Sequence, residues 1–368
     1  MKKVLLSAII ASFLTSAIVM AASDVRVYVN GARVNEEVII HNDRTYVPIR
    51  AVSEAMGADV KWDDVSRSAY ITFTEDDAIA KIVSDVSPSV VAIIGIYETG
   101  GSVSYGNPTV HGTGVIYKSN GYIITNCHVI DGIKNLTVVL NDGTSLPGDV
   151  LYSDAVADLA VVKVNKIGLT PIKMANPEDV VSGKTAIAIG TPISMSLRNT
   201  VTKGIVSGCD VTLSDSYYKL LQTDASINPG NSGGPLLNTK GELIGINSSK
   251  FSGVGIDNMA FAIPVDTVMY ALRQFEANGR IIRPELGITT EQSWEAKIGL
   301  PTNKGLSVKA STNSAIVPGD VINTVNGIEV HSISDWNEAL KKTYNGGEVK
   351  IGYQRNGAFM EATINNLK

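Results

Sequence analysis

Gly230-Asn231-Ser232-Gly233-Gly234-Pro235 is the stretch on which the reading of this chain turns. A serine flanked by glycines has the backbone a nucleophile needs, because glycine adopts positive φ and lets a substrate carbonyl approach the main chain. The N–H groups of Gly230, Asn231 and Ser232 can converge there on a developing oxyanion, the largest electrostatic contribution in acyl transfer. Outward from it, Thr125-Asn126-Cys127-His128-Val129 offers a general base and Ala157-Asp158-Leu159-Ala160 an orienting acid. A glycine-rich turn alone says little, but three blocks together define a nucleophile, a base and a group to hold the base.

The order His128, Asp158, Ser232 is that of chymotrypsin-type enzymes, distinct from the subtilisin and α/β-hydrolase orders. A serine hydroxyl is a poor nucleophile unless a base takes its proton. An imidazole titrating near neutrality can take that proton and return it to the leaving amine. Asp131, Asp149 and Asp154 are rival acids. Asp158 is preferred because the strand Leu159 to Val164 begins directly after it and would hold its carboxylate rigidly. The segment Thr223 to Asn228 precedes the nucleophile and is expected to wall a specificity pocket. Ser226 and Ile227 bring no charge there, which favours a small aliphatic residue before the scissile bond. Asp224 is the one nearby carboxylate and is expected to face away.

At 368 residues the chain is too long for one core and divides into two or three domains. Its composition is that of a globular protein, with 44% hydrophobic and 18% charged residues. The net charge of −5 gives no reason to expect a nucleic-acid partner. Residues 1–22 have Lys2 and Lys3, an apolar run from Val4 to Met20, and Val19-Met20-Ala21 as a cleavage site, the pattern of an export signal. An uncleaved anchor is the competing reading, since the run approaches the roughly 20 residues of a membrane span. Either way the remainder is expected to act outside the cytoplasm. Cys127 and Cys209 show no metal-ligand spacing, and their pairing cannot be deduced from sequence. Thiol catalysis by Cys127 is set aside because strand neighbours point to opposite faces.

Residues 24–74 form a small α+β domain. Val25 to Val29 alternates like a strand into the hairpin turn Asn30-Gly31, and Ile49 to Met56 is a short helix stopped by Gly57. Two further strands, 59–62 and 69–73, follow. The pattern VNG…RTYVPIRAVSEAMGADVKWD resembles the copper amine oxidase N-terminal-like stalk domain of secreted bacterial proteins, which implies an accessory module with a cell-surface partner. His41 stands alone, so no metal site is expected.

Residues 75–275 carry short β-runs with turn signals, as in antiparallel barrels. The blocks HGTGVIY, GYIITNCHVI, DLAVVKV, AIAIGTP, VTKGIVSG, QTDASINPGNSGGPLLN and FAIPVD resemble the HtrA/Deg serine proteases. The loop Ser249 to Met259 corresponds to a segment that adjusts the pocket in that family. After a polar linker, 276–283, residues 284–368 resemble a PDZ domain in PELGI, VPGDVI, VNG and YQRNG. There a peptide adds as a strand and backbone amides cap its carboxylate. Leu286 and Gly287 are the candidate amides, and Asp335 to Lys342 the groove helix. STNSAI shortens the family's usual stretch between Val308 and Pro318, which bears on peptide binding.

The resemblance implies a mostly β protein: a chymotrypsin-like double β-barrel protease, a C-terminal PDZ domain and a small N-terminal stalk domain. It further implies an exported serine endopeptidase acting on misfolded or unfolded extracytoplasmic proteins, a homotrimer, and no cofactor. The alternative is a non-catalytic or chaperone-like peptide-binding protein on a protease scaffold.

Overall fold

The computed structural model describes residues 20–21, 25–29, 31–72, 75–97, 109–191, 195–213, 216–249 and 258–365. Most of the stretch expected to be an export signal, the loop 98–108 and most of the loop expected to adjust the pocket after Ser249 lie outside the described residues. The chain divides into two compact units, one up to Lys81 and one from Ile82.

The first unit is built from short elements: β1 (Met20–Ala21), β2 (Val27–Val29), β3 (Ala32–Val34), β4 (Ile39–His41), β5 (Arg44–Tyr46), α1 (Ile49–Ala55), β6 (Asp59–Asp63) and β7 (Ser68–Thr72). Val34, Val38, Ala58 and Val60 are its buried apolar side chains. The strand β1 pairs Met20 with Ile40 and Ala21 with Ile39. Two residues assigned from sequence to the export segment thus take part in this unit's sheet.

The helix α2 (Glu75–Val86) leads through a tight turn at Pro88 into the first barrel. That barrel comprises β8 (Val90–Tyr97), β9 (Thr109–Lys118), β10 (Tyr122–Thr125), α3 (Cys127–Ile130), β11 (Ile133–Val139), β12 (Ser145–Asp154) and β13 (Leu159–Val164), its strands closing in the order β10-β13-β12-β11-β8-β9. Val91, Ile93, Ile116, Ile123, Val138 and Val162 fill it. Each fully buried side chain of this kind contributes about 1.5–3 kcal/mol. The second barrel is formed by β14 (Thr185–Gly190), β15 (Thr200–Val211), β16 (Leu220–Thr223), β17 (Pro235–Leu237), β18 (Leu243–Ser248) and β19 (Ala260–Pro264), closing as β14-β15-β16-β19-β18-β17. Smaller side chains, among them Ala186, Ala188, Val206, Leu221, Leu236 and Ala262, pack inside. The double barrel expected from sequence is present.

One local expectation fails. The strand β10 stops at Thr125, and Cys127 and His128 lie on the helical turn α3. The strand alternation used to separate Cys127 from the chemistry therefore does not apply. Successive helical residues diverge by about 100° instead, and Cys127 is buried while the His128 ring remains partly open. Neither cysteine is in a disulfide.

The helix α4 (Val265–Asn278) ends where Gly279 adopts φ +71° and returns its N–H to Phe275 O. The C-terminal domain follows with β20 (Ile288–Glu291), α5 (Trp294–Lys297), β21 (Leu306–Ser311), β22 (Val321–Val325), β23 (Ile328–Glu329), α6 (Ile333–Thr343), β24 (Val349–Arg355) and β25 (Ala358–Ile364). Its sheet runs β20-β21-β22-β24-β25, with β23 paired to β22. The shortened stretch after β21 turns without a helix. A capping box starts α6: Ser332 accepts Asp335 N–H while the Asp335 side chain accepts Ser332 N–H.

The helix α6 buries a polar face. Ser334, Asn337, Glu338 and Lys341 recur at helical spacing and are all buried. Lys341 Nζ donates to Asp266 Oδ2 at 2.8 Å, Thr267 Oγ1 at 2.8 Å and Glu338 Oε2 at 2.6 Å. Asn337 donates to Tyr217 O at 2.9 Å, and Lys219 pairs with Asp335 at 2.8 Å. Burial opposes the Lys219 charge, but the bond to Asp335 outweighs it and lifts its pKa above the ordinary lysine value. These bonds fix the domain against the second barrel. Ion pairs taken partly out of water in this way add little net stability.

Candidate active site

The turn carrying Ser232 is pinned from both barrels. From the first, Thr113 N–H donates to Ser232 O at 2.9 Å and Thr113 Oγ1 donates to Gly230 O at 2.7 Å. The same hydroxyl accepts Thr191 N–H at 3.0 Å. From the second, Gly233 N–H donates to Asn247 O, and Asn247 N–H to Gly234 O, each at 2.9 Å. Gly230 has φ +101° and Gly233 φ +83°, the conformations for which glycine is suited.

His128 and Asp158 come from the first barrel. Asp158 ends the turn before β13, with φ +53° and 1% exposure. Asparagine and aspartate visit this left-handed region more readily than other non-glycine residues. Asn126 Nδ2 donates to Asp158 O at 2.9 Å and holds the backbone there. The Asp158 carboxylate lies 2.8 Å and 2.9 Å from His128 Nδ1, and Oδ1 also accepts His128 N–H at 3.1 Å. Ser248 Oγ, at the end of β18, donates to Oδ2 at 3.0 Å and ties this pair to the second barrel. With Nδ1 facing a carboxylate the proton sits on Nδ1, which leaves Nε2 as an acceptor.

The rival acids are elsewhere. Asp154 accepts Ala157 N–H and a bidentate pair from Arg283 at 2.7 and 2.9 Å. That guanidinium also lies over the Tyr217 and Tyr218 rings, 5.1 and 5.7 Å from their centroids. Asp131 follows α3 and Asp149 faces Lys163 across the β12–β13 register; both are exposed.

Three expectations change in detail. Asn231 N–H donates to Asn228 O at 2.9 Å, so it does not converge with its neighbours. Among the described residues, the N–H groups of Gly230 and Ser232 have no protein acceptor although both residues are buried. Such orphan donors are rare and call for a ligand or a strain. Ile227 packs in the second-barrel core, and Ser226 is exposed with its carbonyl accepting Thr202 Oγ1. The Asp224 carboxylate accepts Ile205 N–H at 2.6 Å and is thereby held to β15. Finally, Ser232 Oγ lies 2.6 Å from Ser249 Oγ and accepts Ser249 N–H at 3.0 Å. No hydrogen bond joins it to the His128 ring among the described residues.

Thr113, Ser248 and Ser249 are the functional candidates that residue patterns did not single out. A hydroxyl gains its role from the fold, and no spacing rule marks it. Thr113→Val should strand Gly230 O and Thr191 N–H in a buried site, at about 1–3 kcal/mol. If that cost falls on the transition state it lowers kcat roughly 5- to 160-fold. Thr113→Ser, which keeps the hydroxyl, should stay near wild type; steady-state kinetics on the three proteins checks this.

In the C-terminal domain, β20 forms one edge of the sheet. Leu286 is in the domain core, and Gly287 has φ +65° with its carbonyl accepting Thr312 N–H at 2.8 Å. Among the described residues no group of three or more His, Cys, Asp or Glu side chains is placed to hold a metal. His41 lies near Tyr46, with 6.5 Å between ring centroids.

Two barrels with a serine turn at their seam and a histidine–carboxylate pair beside it define a trypsin-like serine endopeptidase. Residues 112–246 match the trypsin-like peptidase domain, 284–365 the PDZ domain, and 16–87 the copper amine oxidase N-terminal domain. Serine protease Do-like HtrA of Bacillus subtilis is 36% identical over 328 residues, covering 79% of this chain and 73% of that protein. Serine protease Do-like HtrB of the same organism is 35% identical over 312 residues, covering 76% and 67%. The solved HtrA-type protease AlgW with a tripeptide superposes with a TM-score of 0.64 at 30% identity, covering 78% of this chain and 95% of that one. The serine endoprotease from Yersinia pestis gives 0.61 at 31%, covering 78% and 98%. The chain belongs to the HtrA family of serine proteases.

Proposed function

We propose that the protein acts outside the cytoplasm and cleaves unfolded or misfolded proteins through Ser232, His128 and Asp158. In this reading His128 Nε2 takes the Ser232 proton as Oγ attacks the scissile carbonyl, then returns it to the leaving amine. Asp158 fixes the imidazole tautomer and stabilises the imidazolium. The N–H groups of Gly230 and Ser232 receive the oxyanion, and water then resolves the acyl-enzyme by the same route. The observation that carries this reading is the Asp158–His128 Nδ1 contact at 2.8 Å beside a turn with two unmatched N–H donors. Extracytoplasmic action is supported by the basic-apolar start of the chain and by relatives described as probable periplasmic serine endoproteases. No helix among the described residues is long and apolar enough to cross a membrane.

Cleavage after small aliphatic residues is supported by Asp224, the nearest carboxylate, being bonded to β15. Peptide C-termini adding beside β20, with Leu286 and Gly287 as carboxylate donors, homotrimer formation and a cell-surface partner for the stalk domain belong to the same reading. Unfolded casein and a stable folded protein, each incubated with the protein and with Ser232→Ala, test it. Casein should be degraded, the folded protein spared, and the variant slower by several orders of magnitude. Equal turnover by the variant would remove Ser232 from the chemistry. The non-catalytic alternative has one observation on its side, the Ser232 hydroxyl bonded to Ser249 and, among the described residues, not to the His128 ring.

A further inference from the structure

The Ser232 hydroxyl is engaged by Ser249. Ser248 and Ser249 are consecutive, yet their hydroxyls serve different partners. Ser248 Oγ donates to Asp158 Oδ2 at 3.0 Å, whereas Ser249 meets the nucleophile twice. Its N–H donates to Ser232 Oγ at 3.0 Å, and its Oγ lies 2.6 Å from the same atom. The backbone here is held by β18–β19 pairing, with Asn247 opposite Ala262 and Ser248 opposite Phe261. Ser232 itself is pinned at its carbonyl by Thr113 N–H. Only rotation about Cα–Cβ is left to the Ser232 hydroxyl, and the bonds with Ser249 favour one rotamer.

We infer that Ser249 is a positioning residue that parks the Ser232 hydroxyl away from His128, so that only a minor rotamer is reactive. This rests on Ser232 being the nucleophile. Where Ser232 donates in the serine pair its proton is committed to Ser249 Oγ, and where Ser249 donates both lone pairs of Ser232 Oγ are taken; in either case these bonds, and none to the His128 ring among the described residues, hold the hydroxyl. Attack requires the pair to separate, and the observed rate is the intrinsic rate multiplied by the reactive fraction. Ser249 therefore sets how much of the enzyme is poised through its bonds to the Ser232 hydroxyl. The hydroxyl is the removable half of the restraint, since the N–H remains in every variant but proline.

A small fluorophosphonate measures this directly on the full chain. Ser232 Oγ bonds phosphorus, the P–F bond breaks, fluoride leaves, and the hydroxyl proton passes to His128 Nε2. Labelling rates are compared from pH 5 to pH 9 for the wild type, Ser249→Ala, Ser249→Val, Ser249→Thr and Ser232→Ala. Losing one hydroxyl–hydroxyl bond should speed labelling about three- to tenfold in the Ala and Val variants. The pH midpoint should stay where it is, because the base is unchanged. Ser249→Thr retains the hydroxyl and should label at the wild-type rate. A general loss of packing would slow the Val and Thr variants alike, so the difference between these two similarly sized side chains isolates the hydroxyl. If Ala and Val label no faster than wild type, or if Val matches Thr, Ser249 does not park the nucleophile. Labelling that survives in Ser232→Ala would instead overturn the nucleophile assignment, a failure distinguishable from that of Ser249.

Discussion

Asp158→Asn is expected to lower kcat on an unfolded protein about 10⁴-fold while leaving the fold in place. Asparagine suits the left-handed backbone at φ +53° nearly as well as aspartate, and it has almost the same volume. Its carbonyl can still accept His128 N–H or Ser248 Oγ. The loss lies in the other half of the side chain. An amide N–H₂ facing Nδ1 donates where the carboxylate accepted, so the imidazole moves its proton to Nε2. A ring protonated at Nε2 cannot take the Ser232 proton, and no anion remains to stabilise the imidazolium. Kinetics together with a thermal melt check this. Activity within tenfold of wild type at an unchanged melting temperature would mean that another acid orients His128. Asp154 is held instead on the Arg283 guanidinium by a bidentate pair.

Gly233→Ala should be the most damaging small substitution in the serine turn. Its φ of +83° penalises any side chain, and an added Cβ would overlap Thr113 O and Thr125 Oγ1. The backbone penalty of about 1–2 kcal/mol and overpacking of about 1–3 kcal/mol together give about 2–5 kcal/mol of destabilisation. Thr113 also holds Ser232 O, so relief of the overlap displaces the nucleophile. Gly279→Ala is the matched control: φ is +71°, but a Cβ there meets nothing within 4 Å, so only the backbone penalty of about 1–2 kcal/mol applies. Denaturant titration of both variants separates the two contributions. Equal destabilisation would show that the turn has room that the geometry denies it.

What the sequence made legible follows from how residue identity constrains chemistry. Ser232 between glycines, His128 and Asp158 are readable because few other residues can perform nucleophilic, basic and orienting roles. The barrels are readable because short apolar runs separated by turn residues leave few alternatives. The Thr113 and Ser249 hydroxyls are invisible to that logic. Serine and threonine are common in any loop, and their roles exist only once two barrels meet. Ser334, Asn337, Glu338 and Lys341 mislead in the opposite direction, since a polar helical stripe ordinarily faces solvent. Here it faces the second barrel, with Lys341 bonded to Asp266 and Thr267. Ile227 shows a smaller displacement of the same kind. Its place before the nucleophile suggests a pocket wall, and its burial places it in the barrel core. Cys127 and His128 fall on a helical turn because β10 stops at Thr125, so strand alternation does not reach them.

In the proposed function one hydroxyl, that of Ser232, is the nucleophile of this protein. A fluorophosphonate adduct located by peptide mass spectrometry tests it most directly. A single modified peptide is expected, with the phosphonyl group on Ser232 and no labelling of the Ser232→Ala variant. An adduct on any other serine, or labelling of that variant at the wild-type rate, would contradict it.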